Sequence, residues 1–173
     1  MARMFDASTP PGHAPAGYGA VAGYIGGSTP HVWTHAEWDR FNALKKLPIW
    51  VGRIVTGAPA PRNEAFEALR RLYELHVPKG SPVVLDLETH VDGPYVHAFG
   101  AVLSWAGYRT WVYGSASSVF RNPPLAGYWV ADYTGKPFMY QHKDVRATQY
   151  ASGQTYDSST VKTWEFLHRL RRW

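Results

Sequence analysis

The run Val83-Val84-Leu85-Asp86-Leu87-Glu88 limits what this chain can fold into more than any other segment. It is short, apolar and rich in branched side chains, and Pro82 breaks the chain just ahead of it, so it is the clearest strand in the sequence. Side chains alternate along a strand, which puts Val84, Asp86 and Glu88 on one face and Val83, Leu85 and Leu87 on the other. Both faces are apolar until the carboxylates at the end. Such a strand needs cover on both sides, as in a parallel sheet backed by helices.

The flanking segments supply that cover. Met1 to Ala7 reads as a first strand ending in Asp6, and Pro10, Pro11, Gly12 and Pro15 then enforce a loop. Val21 to Ile25 is a second strand closed by Gly26 and Gly27, and Leu47 to Val55 a third. Thr34-His35-Ala36-Glu37 is a capping box that opens a helix carrying Trp38 and Phe41. A second helix is expected from Asn63 to His76, with Phe66, Leu69 and Leu72 along it, and a third from Gly93 to Ala106. Arg109 to Tyr113 is the next strand. Beyond it the chain turns strand-like and poor in helices: Gly127 to Asp132, Pro137 to Tyr140 and Arg146 to Tyr150. A last helix is expected from about Thr160 onward, with Val161, Trp164, Leu167 and Leu170 on one face. Strands alternating with helices imply parallel βαβ units. Eight strands with helices mainly in the first half predict an irregular, single-domain (β/α) barrel of the TIM type spanning residues 1–173, helix-poor in its C-terminal half.

In a parallel barrel the C-terminal strand ends form the mouth, where catalytic groups gather. Asp86 and Glu88 lie about 6.6 Å apart along their face and aim into that mouth, and Asp6 ends another strand there. Neighbouring carboxylates resist ionising together, which favours one protonated acid near neutral pH, the group that glycosidic cleavage needs. Other chemistry is less well supported. His90, Asp92 and His97 lack the paired spacing of a metal site. Ser115-Ala116-Ser117-Ser118 lacks the nucleophile elbow and reads as a helix start. The glycines around Tyr24 do not form a dinucleotide fingerprint. No metal and no cofactor are expected.

The 173 residues carry a net charge of +5 and no cysteine, with aromatic residues at 15%. Rings at that frequency serve both cores and sugar-binding faces. The positive charge suits an anionic partner, but the only dense basic run is Arg169 to Arg172, so nucleic acid is not expected. No stretch reaches the roughly 20 apolar residues of a membrane span. Met1 to Asp6 contains no apolar run of signal-peptide length. Synthesis in the cytoplasm is therefore expected, with delivery to a cell wall by phage lysis or on a virion, and the chain is expected to act as a monomer unless it joins a larger assembly.

Five segments resemble, in order, the muramidase-type lysozymes of glycoside hydrolase family 25. Val84-Leu85-Asp86-Leu87-Glu88 is similar to the family's acidic strand, and Phe5-Asp6-Ala7-Ser8 to its opening strand. Val112-Tyr113-Gly114-Ser115, Trp129-Val130-Ala131-Asp132-Tyr133, and Ala147-Thr148-Gln149-Tyr150 followed by Tyr156-Asp157 resemble later ones. The front half, with Gly23-Tyr24-Ile25-Gly26-Gly27, looks like actinobacterial glycoside-hydrolase-like proteins of unassigned activity. The resemblance implies a peptidoglycan glycosidase with Glu88 as general acid and with Asp86 and Asp6 stabilising the reacting sugar. Asp157 would line the same acidic bowl, and Tyr24, Trp50, Tyr113, Trp129, Gln149 and Tyr150 would contact substrate. The alternative is a catalytically silent carbohydrate-binding or structural module of a phage particle or surface assembly.

Overall fold

The computed structural model describes residues 1–53, 60–87, 92–122 and 124–162. Eight strands close into a barrel in sequence order: β1 (Ala2–Ala7), β2 (Ala20–Gly27), β3 (Lys45–Val51), β4 (Pro82–Asp86), β5 (Arg109–Ser115), β6 (Gly127–Ala131), β7 (Val145–Ala151) and β8 (Asp157–Val161). Neighbouring strands from β1 to β7 pair in parallel, while β8 runs antiparallel to both β7 and β1. Four helices are described: α1 (His35–Arg40), α2 (Pro61–Glu74), α3 (Gly93–Trp105) and the single turn α4 (Ala116–Val119).

Alternation along the strands divides the core into two layers. Inside the barrel, Met4, Ala20, Ala22, Leu47, Ile49, Val84, Trp111, Trp129 and Ala147 pack together. Outside, Phe5, Val21, Val83, Leu85, Val112 and Val130 meet the helices, where α2 contributes Leu69 and Leu72 and α3 contributes Val96, Phe99 and Leu103. Small inward residues on β2 offset the indoles of β5 and β6, which keeps the interior filled. α1 starts with the expected capping box: Thr34 Oγ1 accepts from Glu37 N–H at 3.2 Å, and the Glu37 carboxylate accepts from Thr34 N–H at 2.7 Å. Gly27, at φ +88°, brings β2 so close to Val51 that an added β-carbon would lie 1.8 Å from its carbonyl oxygen.

Two expectations need correction, both in the helix-poor half. Pro137 to Tyr140 is not a strand. It crosses the outer wall where a helix would otherwise lie, and Met139 and Tyr140 pack onto the outer layer. Its polar groups bond to side chains: Tyr140 N–H donates to Thr148 Oγ1 at 2.9 Å, and Thr160 Oγ1 donates to the Phe138 carbonyl. The eighth strand is Asp157–Val161, so Thr160 and Val161 are strand and not helix. Residues 152–156 join β7 to β8, a connection too short for a parallel crossover, which dictates the antiparallel return. Trp164, Leu167 and Leu170 lie outside the described residues, as do residues 54 and 55 of the expected third strand.

Candidate active site

The C-terminal ends of the parallel strands carry the polar residues of the interior. On β1, Met4 faces inward, so Asp6 does too; on β4, Val84 does the same for Asp86. Both carboxylates are buried, Asp6 at 4% and Asp86 at 3% exposure. Val51 and Tyr113 flank Asp86 in register, and Asp157 of β8 stands opposite Asp6. Glu88 lies outside the described residues.

Tyr113 is the hub of this layer. Its hydroxyl donates to Gln149 Oε1, and the Tyr133 hydroxyl lies 3.4 Å away. Gln149 Nε2 then donates to Asp157 Oδ2 at 2.6 Å, while Gly153 N–H donates to the other Asp157 oxygen at 3.1 Å. Burial above all holds the phenol of Tyr113 well beyond the ordinary tyrosine range. Its contact with Tyr133 and the charges of Asp6 and Asp86 push the same way. The hydroxyl therefore stays a neutral donor, and both acids act on it electrostatically. Trp129 meets the Tyr113 ring edge-on at 5.1 Å and donates from Nε1 to Ser159 Oγ at 3.1 Å. A pocket of about 240 Å³ opens beside this layer, lined by Asp6, Ser8, Tyr24, Tyr156, Asp157 and residues 152–155.

The structure thus brings Asp6, Asp86, Tyr113, Trp129, Gln149 and Asp157 together inside the mouth and puts Tyr24 on the pocket wall. Trp50 and Tyr150 are placed elsewhere. Leu47 and Ile49 face inward on β3, so Trp50 between Ile49 and Val51 faces outward. It is buried under α2, where its Nε1 donates to Glu64 Oε2 at 3.0 Å. Tyr150, next to inward-facing Gln149, lies on the outer wall beside Arg3. Two further residues, absent from the sequence-based set, belong to the site: Ser159, which receives the Trp129 indole, and Tyr133, whose ring is 59% exposed at the rim. Tyr133 closes the Trp129 to Tyr133 segment and could have been found there. Ser159 sits in a polar stretch that carries no signal of its own.

No protein-family model matches the chain, and no curated protein matches it in sequence. Solved structures do match. An uncharacterised B. stearothermophilus protein is 19% identical at a TM-score of 0.74, the match covering 98% of each chain. A muramidase from Acremonium alcalophilum is 14% identical at 0.69, again over 98% of each chain. The modular autolysin LytC from Streptococcus pneumoniae, solved with a synthetic peptidoglycan ligand, is 14% identical at 0.71 over 91% of this chain and 46% of its own. At these identities the likeness is one of fold. The chain shares its barrel fold with these three proteins.

Among the described residues there is no group of histidines and acids able to hold a metal ion, and no helix is long and apolar enough to cross a membrane.

Proposed function

We propose that the chain is a glycosidase acting on bacterial peptidoglycan, cleaving next to N-acetylmuramic acid at the mouth of the barrel. The observation that carries this reading is the pair of buried carboxylates, Asp6 and Asp86, which face inward at the C-terminal ends of β1 and β4 beside Tyr113. Interior acids are costly to keep ionised, and a barrel places them at its mouth when charge develops on the substrate there. Glu88, two residues after Asp86 in the sequence, is the general acid in this reading. Asp86 and Asp6 stabilise the oxocarbenium-like transition state. Gln149 and Asp157 fix the Tyr113 hydroxyl, while Tyr24 and Tyr133 offer rings to the sugar. The fold shared with a muramidase, and with an autolysin solved with a peptidoglycan ligand, supports the substrate class. Phage lysis or carriage on a virion would bring the chain to the wall.

The deep burial of Asp86, which does not line the open pocket, favours a second reading: a catalytically silent module that binds glycan without cleaving it. Glu88→Gln separates the two, because it keeps the shape and removes the proton. General-acid help is worth about 10² to 10⁴ in rate. Release of reducing ends from purified cell walls should fall at least about 100-fold in the variant while wall binding survives. Wild-type protein that binds walls of several types yet releases no reducing ends between about pH 4 and 8 establishes the silent module.

A further inference from the structure

At the end of the barrel opposite the carboxylates lies a cavity of about 300 Å³. Its polar side is formed by Asn42, Lys45, Lys46 and His76, its apolar side by Leu44 and Leu75, and no carboxylate lines it. Lys45 opens β3 and His76 follows α2, so the cavity sits at the N-terminal ends of the strands, roughly 20 Å of strand away from the mouth.

The polar side chains here differ in what they have left to offer. The Lys46 ammonium donates to the Trp38 carbonyl at 3.2 Å and to Asn42 Oδ1 at 2.5 Å, and pairs with Asp39 at 3.7 Å. Its three donors are used, so it supplies charge and little else. Among the described residues neither Lys45 nor His76 has an ion-pair partner. The backbone at His76 adds an independent sign. Val77 N–H bonds the Leu72 carbonyl at 2.9 Å and His76 N–H bonds the Tyr73 carbonyl at 3.0 Å, the pattern that ends a helix on a left-handed residue. His76 takes that conformation, at φ +51°, where glycine would carry no steric penalty. A side chain held at such a position stores backbone strain, and a role for the side chain would account for it.

We propose that this cavity is a second binding site, for the phosphate groups of a phosphodiester-linked polyol chain. Lys45 and His76 meet the phosphate, Lys46 adds its charge, and Leu44 and Leu75 pack against the polyol carbons. Trp38 is 2% exposed, so its ring cannot stack on a base, which argues against a nucleic acid as the occupant. A polymer fits better than a lone phosphate because more cations ring the same end. Lys162 Nζ lies 3.2 Å from the His142 carbonyl beside Lys143 and Arg146, and Arg109 Nε lies 2.9 Å from the Gly80 carbonyl beside Lys79. The site does not depend on catalysis at the mouth.

The test uses the full chain with two probes, synthetic poly(glycerol phosphate) and a duplex oligonucleotide of equal charge, titrated at low and moderate salt. Wild type is expected to bind the polyol polymer more tightly than the oligonucleotide, with affinity falling as salt rises. Lys45→Gln with His76→Gln should weaken polymer binding about tenfold or more and lower the salt slope by about one for the phosphate that loses Lys45. Asp86→Asn should bind the polymer as wild type does. His76→Gly, which relieves the backbone, should melt at a higher temperature and still bind more weakly. Absence of polymer binding by wild type at low salt, unchanged binding by the double variant, or tighter binding of the oligonucleotide would each overturn the proposal.

Discussion

The two halves of the barrel wall are held by different forces. From β2 to β5 the outer face is covered by α2 and α3, which bury Leu69, Leu72, Val96, Phe99 and Leu103 against Val83 and Leu85. From β6 to β8 no long helix is described, and cover comes from the 137–140 segment together with Phe120 and Tyr128, whose rings meet edge-on at 5.3 Å. Polar side chains do the joining there: Thr148 to Tyr140, Thr160 to Phe138, Trp129 to Ser159, Gln149 to Asp157. Apolar area stabilises the first half without regard to direction. The second half adds, to its buried Tyr128, Val130 and Val145, individual hydrogen bonds with fixed partners, and that directionality is what positions the Tyr113 hydroxyl.

The contrast can be broken by three substitutions. Leu72→Ala opens a cavity in the helix-covered half, where Leu72 is fully buried, and should cost about 2–5 kcal/mol in denaturant unfolding while leaving the mouth chemistry intact. Gln149→Leu should cost less, about 2–3 kcal/mol, because it strands an Asp157 oxygen and leaves the Tyr113 hydroxyl only its long contact with Tyr133. Unlike Leu72→Ala, it should also lower any release of reducing ends from walls, since it frees Tyr113. A Gln149→Leu protein as stable as wild type would show that the polar network is not what holds the second half. The smallest effect is expected from Thr148→Val, about 1 kcal/mol, for loss of the acceptor of Tyr140 N–H. If Thr148→Val instead costs as much as Leu72→Ala, the 137–140 segment is a covering element on a par with a helix.

The same division governs how much could be read from the sequence. Periodicity is a signal of apolar burial, so the strands and helices of the first half were legible to within a few residues, and the parity of Val84, Asp86 and Glu88 placed Asp86 on the inward face. Parity also held the answer for Trp50. Leu47 and Ile49 alternate inward, and a residue between inward positions must face out, whatever its chemistry. Tyr150 fails by the same rule, as the neighbour of Gln149, in a strand whose register shifts near its start and again near its end. β8 was not legible because Asp157-Ser158-Ser159-Thr160 has weak strand propensity, and it is a strand only because Trp129, Gln149 and the β1 and β7 ladders satisfy its polar groups. Asp6 and Asp86 were visible from position alone. The Tyr113–Gln149–Asp157 chain depends on contacts between distant strands, and no local pattern encodes those.

The antiparallel β8 also sets a timetable for synthesis. β1 emerges early and bonds on one side to β2, but its other edge has no partner until residues 157–161 arrive. β7 waits for the same strand. Any sheet formed from β1 to β7 before then would have two bare edges, a form prone to pairing with a neighbour. The strand that joins these edges carries Asp157 and Ser159 inward, so closing the barrel and completing the polar chain to Tyr113 are one event. A chain that stalls before β8 would carry both defects, open edges and an unfinished mouth.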